Sequence, residues 1–395
     1  MEPVWVFALA TLGGAAVVVS VAAWQRGRFF ATFTAVLLGV QGLIAVGLFG
    51  VFEPAWPAFA ALQATVHLHF LSLARARMRP WWWRALVSVP GLFFAAGTLL
   101  GMPWAVAAAL GFDPWVPWLP FAGAAFGVLQ SLWTREEEID VRLDGRVVEG
   151  PRRHPRGGPA SERPLSIVQI TDPHLGPLMS VERLRRICER AVARDPDLIL
   201  LTGDFLTMES QSEPRILEEA LTPLAAAQGR TFACFGNHDH EAPAIVRRAL
   251  ASAQVTLLVD EEARVETPVG PVQILGADYA FRRRRERLAA LCERFPRAAG
   301  HLRIVLLHDP GAFHHLPEGH GDLVLSGHTH GGQLGMLSFG LPWTVVSAFT
   351  KIPDHGFWAR GPDRLYVHRG TGVYGFPLRV GVPAEESLLR VHRPG

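Results

Sequence analysis

The sequence predicts a bundle of membrane-spanning helices joined to an α/β domain. Three observations carry that expectation: where the charges fall, how long the apolar stretches run, and how β-rich and helical patterns alternate after residue 165. The first 134 residues hold nine charged side chains and the remaining 261 hold 65. The second density is that of an ordinary soluble domain and the first is not. The same distribution excludes a disordered, collagenous or small disulfide-stapled chain.

Apolar stretches cover residues 4–24, 29–52, 55–74, 85–111 and 115–133. Each is close to the ~20 residues that a helix needs to cross hydrocarbon. Arg26 and Arg28 separate the first two, Glu53 the next pair, then Arg75, Arg77, Arg79 and Arg84, then Asp113, with Arg135 after the last. Arginine-bearing loops belong on the cytoplasmic side, so about five spans are expected, N-terminus outside and C-terminus inside. Trp5, Trp24, Trp56, Trp81, Trp82, Trp83 and Trp133 fall at span edges, as interfacial tryptophans do. A four-span count stays open, because Pro103, Pro114, Pro117 and Pro120 could make one stretch re-entrant. A cleaved signal peptide is not expected, since Met1-Glu2-Pro3 lacks a basic opening. His67 and His69, two apart on a helix, point to opposite faces and are read as neutral, hydrogen-bonded bundle residues. The expected setting is an integral protein of the cell (inner) membrane.

After residue 134, 32 basic residues face 33 acidic ones, so no nucleic-acid partner is expected. Cys188, Cys234 and Cys292 form no motif, and an odd count cannot fully pair within the chain, which favours reduced thiols and a reducing compartment.

The domain boundaries follow. Residues 1–134 form the helical domain and 135–163 a linker rich in Gly, Pro and Arg, with a possible first strand over 139–148. Residues 164–395 form the α/β domain. In it, strand patterns occupy 166–171, 198–202, 231–235, 272–275, 303–307 and 322–325, and helical patterns 181–193, 214–227, 242–253 and 282–294. The run Arg282-Arg283-Arg284-Arg285-Glu286-Arg287 reads as a solvated helix face, with docking on anionic lipid as the alternative.

Five strand patterns end in residues of metal-ligand type. Asp172-Pro173-His174 follows the first; two residues apart in extended chain, its aspartate and histidine face one side. Gly203-Asp204 follows the second, Gly236-Asn237-His238-Asp239 the third, His308 the fifth, and Gly327-His328-Thr329-His330-Gly331-Gly332 the sixth. Any one of these is commonplace, but five in one order are not. Carboxylate, amide and imidazole together suit Mn, Fe, Co or Zn rather than Ca.

The series resembles the calcineurin-like metallophosphoesterase superfamily over essentially all of 165–390. The final Arg369-Gly370-Thr371-Gly372 and Pro377-Leu378-Arg379 resemble its membrane-associated branch, which includes bacterial phosphodiesterases and a UDP-diacylglucosamine pyrophosphatase. The resemblance implies a four-layer αββα sandwich and two divalent metal ions. One ion would take Asp172, His174, Asp204 and His330; the other would take Asp204, Asn237, His308 and His328. It implies that His238 protonates or stabilises the leaving oxygen, oriented by Asp239 or another carboxylate. Arg369 and Arg379 are candidate substrate-phosphate contacts, with surface arginines as the alternative. Thr207 stands where many relatives carry a second aspartate. The expected function is a membrane-anchored phosphohydrolase cleaving a phosphodiester or pyrophosphate bond, with membrane proximity favouring a lipid-linked substrate. A phosphomonoesterase, a nucleotide phosphodiesterase, and a membrane sensor or transporter with a regulatory phosphoesterase output remain alternatives.

Overall fold

The computed structural model describes residues 2–157, 162–376 and 379–393. Gly158 and Pro159 of the expected linker, and Pro377 and Leu378 of the last motif, lie outside the described residues. The chain divides into two compact units. The first holds Met1–Leu132 with the short segments Met208–Ser212 and Gly375–Val380, and the second holds the rest.

The first unit is helical: α1 (Pro3–Arg26), α2 (Arg28–Phe49), α3 (Trp56–Ser72), α4 (Trp81–Leu100, with a π-turn at Arg84–Ser88), α5 (Met102–Ala109) and α6 (Leu119–Ser131). Among the described residues three helical runs are long and apolar enough to cross a membrane: Pro3–Arg26, Arg28–Ser72 and Trp81–Leu100. The middle run is interrupted by the 3-10 turn Gly50–Ala55, which contains Pro54. Beyond that turn Gln41 of α2 and Gln63 of α3 exchange two hydrogen bonds, 2.9 and 3.0 Å, so the two helices run back alongside each other. Phenylalanines pin the bundle: Phe7 stacks on Phe49 at 4.8 Å, and Phe59 meets Phe94 edge-on at 4.8 Å. His67 lies 3.2 Å from Gln63, whereas His69 is buried.

In the second unit two sheets pack face to face. The strands are β1 (Thr134–Arg142), β2 (Val148–Arg153), β3 (Leu165–Ile170), β4 (Leu198–Leu201), β5 (Thr231–Ala233), β6 (Thr256–Leu257), β7 (Glu261–Thr267), β8 (Gly270–Ala277), β9 (Leu302–Leu307), β10 (Leu323–Ser326), β11 (Gly356–Gly361), β12 (Asp363–Val367) and β13 (Ala384–His392). One sheet has the order β1-β13-β3-β4-β5-β6 and the other β2-β11-β12-β10-β9-β8-β7. Strand residues alternate between two cores. Ile167, Leu198 and Leu200 of the first sheet meet Ile274, Ile304 and Leu325 of the second in a dry layer between the sheets. Their neighbours Val168, Ile199 and Leu201 face outward under α7 (Val181–Ala193), α8 (Pro214–Leu221) and α9 (Pro243–Ser252). On the far side Leu275, Val305 and Leu307 pack beneath α10 (Arg284–Arg294) and the turn Pro310–His315. The result is helix, sheet, sheet, helix, the four layers that the motif series implies.

Much of the segment expected as a linker with a possible first strand is strand. Residues 134–153 supply an edge strand to each sheet, β1 pairing in parallel with β13 and β2 antiparallel with β11. The first strand therefore lies earlier than expected, over Thr134–Arg142. Its run of charged residues hid it: Glu136 and Glu138 face solvent while Ile139 and Val141 are buried. Nor is the 282–287 run a wholly solvated face, because Arg284 pairs with Asp309 at 2.6 Å and Arg287 with Asp260 at 2.8 Å.

Candidate metal centre

Strands β3, β4 and β5 are parallel neighbours in one sheet, and β9 and β10 are parallel neighbours in the other. Their C-terminal ends open on one side, where the chain must turn out of the sheet within one or two residues. Asp172, His174, Asp204, His328 and His330 do so with positive φ, between 47° and 68°. Left-handed backbone costs a non-glycine residue about 1–3 kcal/mol and persists where its surroundings enforce it. Gly236 lets the β5 turn touch the β4 turn, since a Cβ there would run into the Asp204 carboxylate.

The turns bring two groups of ligand atoms together. Asp172, His174 and His330 form one; Asp204, His308 and His328 form the other, and within each group the atoms lie within 4.8 Å of one another. His174 Nε2 lies 3.1 Å from His330 Nε2, and Asp172 Oδ1 is 3.4 Å from His330 Nε2. Asp204 Oδ2 lies between the groups, 3.7 Å from His174 Nε2 and 3.2 Å from His308 Nε2. Asn237 Oδ1 joins the second group, 3.2 Å from His308 Nε2. The backbone carbonyl of Thr202 holds His308 Nδ1 at 2.6 Å, and that of Leu206 holds His174 Nδ1 at 3.3 Å. Each ring therefore presents Nε2 to the centre.

Two imidazole nitrogens and a carboxylate oxygen converging at these distances suit a cation. Burial raises the Asp172 carboxyl, but His330, His174 and His308 outweigh it and hold it well below the usual range. Burial lowers His308, yet Asp204 lifts it to about 10. A divalent cation among these atoms competes with that proton, so the donor set fits one.

Beside the centre, the His238 amide donates to Asp204 Oδ1 at 2.8 Å. Its ring Nδ1 lies 2.7 Å from Glu241 Oε1. Burial lowers the His238 pKa, but Glu241 and Asp204 raise it beyond its ordinary value. The carboxylate on this imidazole is thus Glu241, not Asp239. Asp239 is buried and accepts three backbone N–H bonds, from Asp204, Phe205 and Gly236, at 2.8–2.9 Å. Burial and Asp204 push it up to about 7.

The C-terminal arginines are placed differently from the expectation. Arg369 is buried and ion-paired with Glu137 and, at 2.9 Å, with Glu385, so its charge is already matched. The same motif works through its second glycine: Gly372 N–H donates to the Asp172 carbonyl, and a Cβ there would collide with the Pro173 carbonyl. Arg379 is fully buried and belongs to the first unit. Thr207 turns its hydroxyl to the Leu175 carbonyl at 2.9 Å. Two residues escaped the sequence reading. Glu241 sits three positions after His238 on a 3-10 turn, a spacing that a turn assignment would have paired. Tyr374, whose ring centroid lies 4.3 Å from that of His238 and 4.7 Å from that of His174, carries no signal beyond following the Gly370-Thr371-Gly372 turn.

The fold and this pair of candidate ligand groups are those of a metal-dependent phosphoester hydrolase, and the chain belongs to the calcineurin-like phosphoesterase family, whose model matches residues 165–332. The phosphodiesterase YaeI of Escherichia coli is 30% identical over 234 residues, 58% of this chain and 82% of that protein. An uncharacterized metallophosphoesterase of Helicobacter pylori is 29% identical over 235 residues, and this chain spans 60% of its length. The UDP-2,3-diacylglucosamine pyrophosphatase LpxG of Chlamydia muridarum is 27% identical over 324 residues, 67% of this chain and 93% of that protein. The chain is accordingly a metal-dependent phosphoester hydrolase.

Proposed function

We propose that the chain is a membrane-anchored hydrolase of a phosphodiester or pyrophosphate bond in a lipid-linked substrate. The observation that carries the reading is Asp204, which lies within 4 Å of imidazoles from both ligand groups while its other oxygen accepts the His238 amide. Asp172, His174, Asp204 and His330 would hold one divalent ion, and Asp204, Asn237, His308 and His328 the other, as Mn, Fe, Zn or Co. Bound there, the ions supply a water-derived nucleophile and neutralise charge on the phosphoryl oxygens. The protein's own part is acid catalysis and positioning. Glu241 holds His238 Nδ1, leaving Nε2 to deliver a proton to the departing oxygen. Tyr374 packs against that ring and fixes its plane, and Asp239 holds the loop that carries Asp204.

Two observations support a lipid-linked substrate. One relative is a pyrophosphatase of a diacylated sugar nucleotide. Beyond His330, Met336, Phe339, Leu341, Trp343, Phe349 and Ile352 are all exposed, six large apolar side chains within one short segment. The helical unit would cross the membrane about five times, N-terminus outside and catalytic domain in the cytoplasm, as the arginines at 26, 28, 75, 77, 79 and 84 favour.

The test is full-length protein in detergent, metal-stripped, reloaded with Mn²⁺ and offered a monoester, a diester and UDP-diacylglucosamine. Metal-dependent turnover of the last two, abolished by Asp204→Ala, is expected. No turnover, or turnover that Asp204→Ala leaves intact, defeats the reading. Sidedness is read from a cytoplasm-dependent reporter fused after residue 395, which should be active.

A further inference from the structure

The second ligand group has a tyrosine at its edge, Tyr279, that neither ligates a metal nor touches His238. β8 and β9 are parallel, with Ala277 opposite Leu307, so the chain leaving β8 comes out beside His308. Polar contacts fix the loop there. The Asp278 amide donates to Asp260 Oδ1 at 3.0 Å, and the Tyr279 amide to Asp278 Oδ1 at 2.9 Å. His240 Nε2 lies 2.9 Å from the same oxygen of Asp278. Tyr279 is thereby carried to the His328 ring, the two ring centroids 6.3 Å apart. It lines one cleft with His308, Asp309 and Arg284.

The charged neighbours of the phenol are already matched. Arg284 Nε donates to the Ala280 carbonyl at 2.8 Å, and its Nη2 pairs with Asp309 Oδ2 at 2.6 Å. Asp309 also accepts the Gly311 amide at 2.7 Å. The guanidinium is thus held in the loop. Burial and Asp309 raise the pKa of the Tyr279 hydroxyl, while Arg284 beside it lowers it. A guanidinium has donors only, so towards Arg284 the phenol oxygen can only accept. The hydroxyl's own hydrogen has no acceptor within bonding distance among the described residues. Tyr279 is half-buried, and its hydroxyl stays open to solvent. One donor is left over at the edge of the site.

The two flanks of the centre therefore differ. His238 and Tyr374 stand beside His174, in the first ligand group. Tyr279 stands beside His328, in the second. A phosphoester held between them meets an acid for its departing oxygen on one flank and a neutral donor on the other. A hydroxyl bonded to an anionic oxygen gains from that charge while adding none of its own.

We propose that Tyr279 is a substrate-positioning residue, its hydroxyl donating to a non-bridging phosphoryl oxygen on the His328 flank while Arg284 fixes the phenol. The proposal rests on the metal-dependent reading of the centre. The test uses the full chain in detergent, loaded with Mn²⁺, its metal content read by elemental analysis. Inorganic phosphate is titrated in by calorimetry, and hydrolysis of a nitrophenyl diester supplies kcat and KM.

Tyr279→Phe keeps the ring and removes the donor. It should weaken phosphate binding about tenfold or more, the worth of one hydrogen bond to an anion. KM should rise by more than kcat falls, and metal content should stay the same. Tyr279→Ala should weaken phosphate binding at least as much. Wild-type affinity in Tyr279→Phe overturns the proposal, and weakening by Tyr279→Ala alone would show that the ring merely packs. A fall in the metal content of Tyr279→Phe also overturns it, by placing the effect in the metal centre. Wild-type protein that holds Mn²⁺ but binds no phosphate defeats this proposal alone. Wild-type protein that holds no Mn²⁺ defeats the metal reading and this proposal together.

Discussion

Glu241 holds the Nδ1 side of the His238 ring at 2.7 Å, three residues along the same 3-10 turn. This contact raises the proton affinity of His238 against the lowering effect of burial. An acid of this kind is active while protonated, so activity falls as pH rises through its pKa. Glu241→Gln should move the alkaline limb of kcat/KM to lower pH and leave metal content unchanged. A pH profile of diester hydrolysis checks both, and an unmoved limb would separate Glu241 from the acid.

His238→Ala removes the proposed proton donor but none of the proposed metal ligands. A loss of about 10²–10⁴-fold in kcat is expected, smallest for substrates with good leaving groups such as nitrophenolate. Asp204→Ala should instead lower the metal content itself, measured by elemental analysis of the purified protein.

Asp239 gives a contrasting outcome. Its carboxylate gathers the amides of Asp204, Phe205 and Gly236, and an asparagine can offer only one oxygen to them. Asp239→Asn should weaken metal binding about 10–100-fold, as loss of a supporting hydrogen bond does. The pH limb set by His238 should stay in place. Metal titration of the stripped protein reads the first effect and the pH profile the second.

Away from the metals, Glu385 is raised by burial but lowered further by His368 and Arg369, from an ordinary 4.5 to about 2. A carboxyl depressed in the fold contributes stability that is fully present above its ordinary value and lost as pH falls from about 4.5 towards 2. Glu385→Gln should therefore flatten that acid dependence and leave the buried Arg369 paired with Glu137, lowering stability at neutral pH. Thermal unfolding of the full chain between pH 7 and 3 tests it. Arg369→Met should lower the same midpoint while leaving KM alone, because its guanidinium is committed to Glu137 and Glu385.

Much of the candidate site was legible because parallel strands put their ends on one side, and each candidate ligand there is a polar residue that interrupts an apolar run. The pattern Leu198 to Leu201 followed by Gly203-Asp204 is readable without coordinates. Pairings across long separations were not. Whether Glu241 or Asp239 reaches His238 depends on the local turn, since residues one and three positions on point to different sides of it. Arg369 looked available for substrate because its partners lie 232 and 16 residues away. The sheet edges hid for a different reason. β1 and β2 carry Glu and Arg on their exposed faces, so they read as solvated chain.

The position of β13 sets an order of events in synthesis. This strand, Ala384–His392, lies between β1 and β3 and hydrogen-bonds to both. Until those residues have emerged from the ribosome, β1 has no partner in its sheet and β3 has one open edge. The apolar helices are translated about 250 residues earlier and can pack against one another while the hydrolase is still incomplete. A stop codon just before residue 384 would thus spare the helical unit and forfeit the sheet that carries Asp172, giving an inert product.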